Sequence, residues 1–125
     1  MATATHPDIA YTVHQLASYT ANPSLAHYSA AKQVLRYLKG TKDLSITYYA
    51  KSVRKNAPED LNLYYGYADA AYANADDCKS TSGYVFLSNG GVITWGSRKQ
   101  TGVAVLSTEA EYIALSEATQ EAMWL

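Results

Sequence analysis

Ser88-Asn89-Gly90-Gly91 lies between two apolar, β-branched runs, Thr81 to Leu87 and Val92 to Trp95. An Asn-Gly pair in that setting is the strongest short-range signal for a β-hairpin, because both residues tolerate the positive φ that a tight type I′ turn demands. Any fold for this chain must accommodate that hairpin. The segment before it, Leu61 to Ala68, alternates and is rich in tyrosine, which predicts another strand. The segment after it changes period: from about Thr108, Ala110, Ala114, Ala118 and Ala122 recur every four residues, which predicts a helix.

The N-terminal third reads differently. Pro7 and Asp8 suit a first helical turn, with Ile9, Val13 and Leu16 following on one side. Asn22-Pro23-Ser24 breaks that pattern and offers Ser24 as the N-cap of a second helix over Leu25 to Lys39. Gly40 is placed to stop it. Leu44 to Ala50 is apolar and aromatic enough for a strand, and Lys51 to Asp60 reads as a polar loop. The expected fold class is therefore mixed α/β, a helical hairpin followed by antiparallel strands and a helix.

At 125 residues and 48% hydrophobic content, the chain is the size and composition of about one globular domain. No apolar run approaches the roughly 20 residues of a membrane helix, and MATATHPDIA lacks the regions of a secretory signal. An intracellular location, cytoplasmic or nuclear, is the expectation. Cys78 is the single cysteine, so an internal disulfide is excluded and a surface thiol is the simplest reading. The net charge of −1 hides an asymmetry. Residues 1–58 carry seven Lys/Arg against two Asp, a balance of +5, whereas residues 59–125 carry three against nine, a balance of −6. Phosphate contact beside a metal-binding region would produce that pattern, and so would ordinary solvated faces.

Two carboxylates stand out. Asp69 follows the strand-like run Leu63, Tyr65, Tyr67, where aspartate is disfavoured; a strand-ending turn residue is the plain explanation. Glu111 closes a Thr108-Glu109-Ala110-Glu111 capping box, and Glu109 in the same turn would favour the helix dipole. Local physics alone explains both glutamates without chemistry. His6, His14 and His27 have no metal-ligand spacing, and Ser107 lacks a recognisable base. Arg98, Lys99 and Gln100 leave the hairpin together, either as phosphate contacts or as an exposed loop.

Taken together, the residues resemble the copia-type retrotransposon polyprotein. HPDIA, LRYLKGTKD, KSTSGYVF and STEAEYIALSEA carry the likeness, which extends over nearly the whole chain. Residues 1–43 look like the end of its reverse transcriptase, in the thumb or connection region. Residues 44–125 look like the first strands and first helix of its RNase H domain, a partial RNase H-like fold. In that family four acidic residues hold two magnesium ions and hydrolyse RNA in RNA/DNA hybrids. The resemblance implies Asp69 and Glu111 as catalytic and metal-ligating residues, Mg2+ as cofactor, and an RNA/DNA hybrid and the remainder of the polyprotein as partners. Asp69-Ala70-Ala71 departs from the family's Asp-Ala-Asp, and the third and fourth carboxylates would lie past Leu125. Weak magnesium binding and no activity in isolation are therefore expected, with a non-catalytic remnant or a co-opted nucleic-acid or protein interaction module as the alternative.

Overall fold

The computed structural model describes residues 5–49, 64–73 and 77–125. The chain divides into two compact units, Met1–Ser45 and Ile46–Leu125. The polar loop expected over Lys51 to Asp60 falls outside the described residues, as do Ala50 and residues 61–63 of the expected strands.

In the first unit, Pro7–Ile9 forms a single 3-10 turn that leads into α1, Ala10–Ala17. Proline is at home there, since its missing N–H is one that a first turn leaves unpaired anyway. Ser24 then caps α2, Leu25–Gly40, by accepting from the His27 amide, while His27 Nδ1 accepts from the Ser24 amide at 3.1 Å. This is a capping box with histidine in the place usually held by glutamate or glutamine. The ring of Tyr19 stacks on His27 with centroids 4.0 Å apart, which fixes the imidazole in its capping position. Gly40 does not act as the stop that its position implied. It is the last helical residue, and Thr41 ends α2 by donating both its amide (2.9 Å) and its hydroxyl (2.8 Å) to the Tyr37 carbonyl. Tyr37 in turn donates its hydroxyl to Asp8 at 2.8 Å, a bond that raises the phenol's pKa and ties α2 to the opening turn. The two helices bury little: Ile9 is the single buried apolar residue described in this unit.

The second unit is a three-stranded antiparallel sheet in the order β1-β2-β3, with β1 at Tyr65–Ala71, β2 at Thr81–Ser88 and β3 at Gly91–Lys99. The turn forms as the sequence implied: Asn89 and Gly90 have φ of 53° and 84°, the paired positive values of a type I′ hairpin. A register irregularity at Phe86/Leu87 leaves Ile93 as an extra residue of β3 between Val92 and Thr94. Leu44 to Tyr49 does not form the expected strand. Tyr49 donates one amide bond to Asn89 (2.8 Å) and Tyr48 its hydroxyl to Val92 (2.7 Å), so the segment touches the end of the hairpin without forming a strand. β3 runs four residues past Trp95, because Gly96 to Lys99 pair with the first four residues of β2.

Helix α3, Ser107–Trp124, packs on this sheet through Ala110 (0% exposed), Ala114 (1%) and Ala118 (5%). The alanine row lets the helix axis approach the strands closely. The sheet prepares that approach with its own small residues. The Phe86 ring lies over Gly66 and the Tyr84 ring over Gly96, where an added Cβ would sit 2.4 and 2.5 Å from ring carbons. Mixed α/β is thus the observed class.

Candidate functional site

Two sets of polar side-chain contacts establish which sheet face α3 covers. Buried Gln100, directly after β3, donates through Nε2 to Ser82 Oγ (3.0 Å) on β2 and to the Ala110 carbonyl (2.9 Å) on α3. At the other end of the helix, Thr94 Oγ1 donates to Glu121 Oε1 at 2.8 Å. The helix therefore lies on the face that carries Ser82, Tyr84 and Thr94. Through the register, Ala70 and Ala68 of β1 share that face. Tyr84 sits within this arrangement, and burial first, then the Glu121 charge, pushes its phenol pKa up while Arg98 pulls the other way.

Asp69 is an interior residue of β1, opposite Gly83, and not its terminus. It is exposed, and its Oδ1 accepts from the next amide, Ala70 N, at 2.9 Å. Strand alternation puts it on the face away from α3, with Tyr65 and Tyr67.

Glu111 sits in the second turn of α3 and does not close a capping box. The helix begins one residue earlier than expected, with Leu106 at the N-cap and no side-chain cap. Glu109 is the glutamate that reaches back, accepting from the Val105 amide at 2.7 Å. Glu111 is left to line a cavity of about 220 Å³ with Thr108, Tyr112 and Leu115, against Ala68 of β1. The structure thus brings Glu111 to the strand that carries Asp69, with the immediate neighbour of Asp69 facing it. It does not bring the two carboxylates into one cavity.

The expected nucleic-acid trio separates in the same way. Arg98 is exposed on β3. Lys99 is paired with Asp77 at 2.8 Å, and that hydrogen bond holds the Asp77 carboxyl below its usual range. Gln100, 2% exposed, is a structural cross-link and not the loop residue that the sequence implied. Its role was hard to foresee, since nothing local distinguishes a glutamine that bonds a helix carbonyl ten residues onward. Cys78 is exposed, as read.

Among the described residues, no three His, Cys, Asp or Glu side chains converge to hold a metal ion, and no helix is long and apolar enough to cross a membrane. Two magnesium ions need several carboxylates in common. Asp69 and Glu111, directed to different faces, do not by themselves fit such a pair.

The chain is 38% identical, over 97% of its length, to the retrovirus-related Pol polyprotein from transposon TNT 1-94 of Nicotiana tabacum, and it spans 8% of that protein. It is 39% identical over 92% of its length to a putative transposon Ty5-1 protein of Saccharomyces cerevisiae, of which it covers 35%. It is also 43% identical, over 97% of its length and 80% of the relative's, to secreted RxLR effector protein 161 of Plasmopara viticola. The chain belongs to the copia-type retrotransposon polyprotein family. Within that family it corresponds to a small part of the full polyprotein. No family model matches the chain, and no solved structure matches it.

Proposed function

We propose that this chain is the piece of a copia-type polyprotein that joins the end of the reverse transcriptase to the opening of an RNase H domain, and that it contributes carboxylates to a site completed elsewhere. One observation carries this reading: Glu111, released from capping, stands at a cavity against β1, the strand that presents Asp69. In the family resemblance these are the first two acids of a magnesium site that hydrolyses RNA in RNA/DNA hybrids. Arg98 is the member of the expected contact trio that is exposed and outside the Asp77 pair, and it is the residue we assign to phosphate contact on this unit.

With two carboxylates on different faces, the 125-residue chain has no cleavage activity of its own. The test is a labelled RNA/DNA hybrid incubated with magnesium and either this chain or a longer one that carries the continuing polyprotein. The short chain leaves the hybrid intact. The longer chain cuts it and loses that activity in Asp69→Asn and in Glu111→Gln. Cleavage by the short chain, abolished by Asp69→Asn, overturns the reading.

A second reading is favoured by the relative of which this chain spans 80%, a protein described as a secreted effector. A short relative of that kind is consistent with a non-catalytic interaction module built on the same sequence. An inactive longer chain supports this reading over the first.

A further inference from the structure

The Ser24 amide at the start of α2 can only donate, so His27 Nδ1, 3.1 Å away, must present a lone pair, and the neutral ring carries its hydrogen on Nε2. The Ser24 hydroxyl lies 3.1 Å from the same Nδ1 and accepts from the His27 amide at 3.4 Å. Glutamate or glutamine, the usual residue at this place in a capping box, keeps an acceptor oxygen throughout the neutral range. Histidine does not. Its side chain takes up a proton between about pH 8 and pH 5, and an imidazolium has two donors and no acceptor. The His27 ring is half-buried and stacked on Tyr19, with centroids 4.0 Å and planes 22° apart. A charged imidazole is attracted to an aromatic face. Tyr19 therefore keeps the ring in place on protonation, and Nδ1–H then meets the Ser24 N–H donor against donor.

The surroundings do not offset a charge on this ring. Beside it lies a cavity of about 410 Å³ whose titratable lining groups, His27 apart, are the phenols of Tyr19, from the turn after α1, and Tyr28, from α2; no described carboxylate or ammonium lines it. Lys32, held over the Tyr28 ring with its Nζ 4.3 Å from the centroid, adds positive charge to the same stretch of α2. The first turn of α2 has no acid, and a cation there opposes the positive end of the helix dipole. The other two histidines differ in sign. His14 sits in the last turn of α1, where a positive charge suits the dipole, and His6 lies 3.9 Å from Asp8. α2 buries none of its residues, so no core holds its first turn once the cap is lost. We propose that His27 makes the connection between α1 and α2 a pH-sensitive joint: the neutral ring closes Ser24 onto α2, and the protonated ring releases the first turn and opens the apolar cavity beside it. The cap is complete above the histidine range and is lost as pH falls through it. This joint belongs to the first unit and is independent of the Asp69 and Glu111 reading.

The measurement is NMR of the full, isotope-labelled 125-residue chain, titrated from about pH 8 to about pH 5. At the alkaline end, ring correlations show His27 with a bare Nδ1 and a protonated Nε2. As pH falls, the Ser24 amide shift and the Cα shifts of Leu25 to Tyr28 move together with the His27 ring, away from helical values. The ratio of ordered to frayed first turn drops roughly fivefold, the loss expected when a cap is removed. Residues 33–39 keep their helical shifts. His27→Gln restores the usual capping-box acceptor and holds the first turn ordered at both ends of the titration. His14→Gln and His6→Gln leave the transition in place. Hydrogen on Nδ1 at the alkaline end, Leu25 to Tyr28 shifts that stay constant while the His27 ring titrates, or the same loss in His27→Gln would each overturn the proposal. So would a transition that follows His14 or His6.

Discussion

Helices α2 and α3 are of similar length, 16 and 18 residues, yet they are secured in opposite ways. α2 buries none of its residues, but both of its ends are closed by side chains, Ser24 with His27 at the start and Thr41 at the finish. α3 has no side-chain cap, and three alanines press it against the sheet. One helix is defined by its termini and the other by its face. A helix fixed at its ends leaves its outer surface free to recognise something else, whereas a helix fixed by its face is committed to its own domain.

The largest expected effect breaks this comparison most directly. Ala114→Leu forces a larger side chain between α3 and the sheet and costs about 1–3 kcal/mol, whereas Ala31→Leu, on the half-buried side of α2, stays within about 0.5 kcal/mol. Urea denaturation of each variant reads the difference, and equal costs would show that α2 is packed as tightly as α3. Ser24→Ala comes next. It removes one half of the capping box and costs about 1 kcal/mol, visible as lost helicity. The matching change at the α3 terminus, Thr108→Ala, has little effect because Thr108 caps nothing. A cost at Thr108 as large as that at Ser24 would erase the distinction.

The smallest effect concerns pH. Lys99 lowers the Asp77 pKa in the folded chain, so the pair contributes stability that is fully present above the unfolded carboxyl value of about 3.9. That stability is lost as pH falls through the lower folded value. Because the pair is exposed, the contribution is small. Urea midpoints between pH 6 and pH 2 should fall slightly less for Asp77→Asn than for the parent, and identical pH profiles would remove Lys99 from the stabilising interactions.

The same contrast explains what was legible in the sequence. The Asn89-Gly90 turn and the Ser24 cap are local, and both form as read because the residues that decide them lie within four positions of each other. The alanine period of α3 was equally plain. The start of α3 was not: Thr108 to Glu111 spells a capping box, but the N-cap is Leu106, two residues before Thr108, with Ala110 buried and its carbonyl bonded by Gln100. Leu44 to Tyr49 has strand-like composition but is not paired as a strand in the sheet β1-β2-β3, and strands are defined by pairing. Gly96-Ser97 looks like the end of a strand, yet the ring of Tyr84 covers Gly96 and β3 continues. At the candidate site, residue identities were legible, whereas the face on which each carboxylate emerges depends on register and strand length.

The alanine row of α3 has one more consequence. Identical small side chains at every fourth position present nearly the same surface after the helix slides by about one turn, about 6 Å along its axis. The row therefore sets how near α3 lies to the sheet but hardly where it stops. Its registration falls to two polar latches, Gln100 on Ala110 at one end and Thr94 on Glu121 at the other. With both removed, a slipped helix would keep its packing and carry Glu111 past Ala68, leaving a folded chain with its carboxylate out of place.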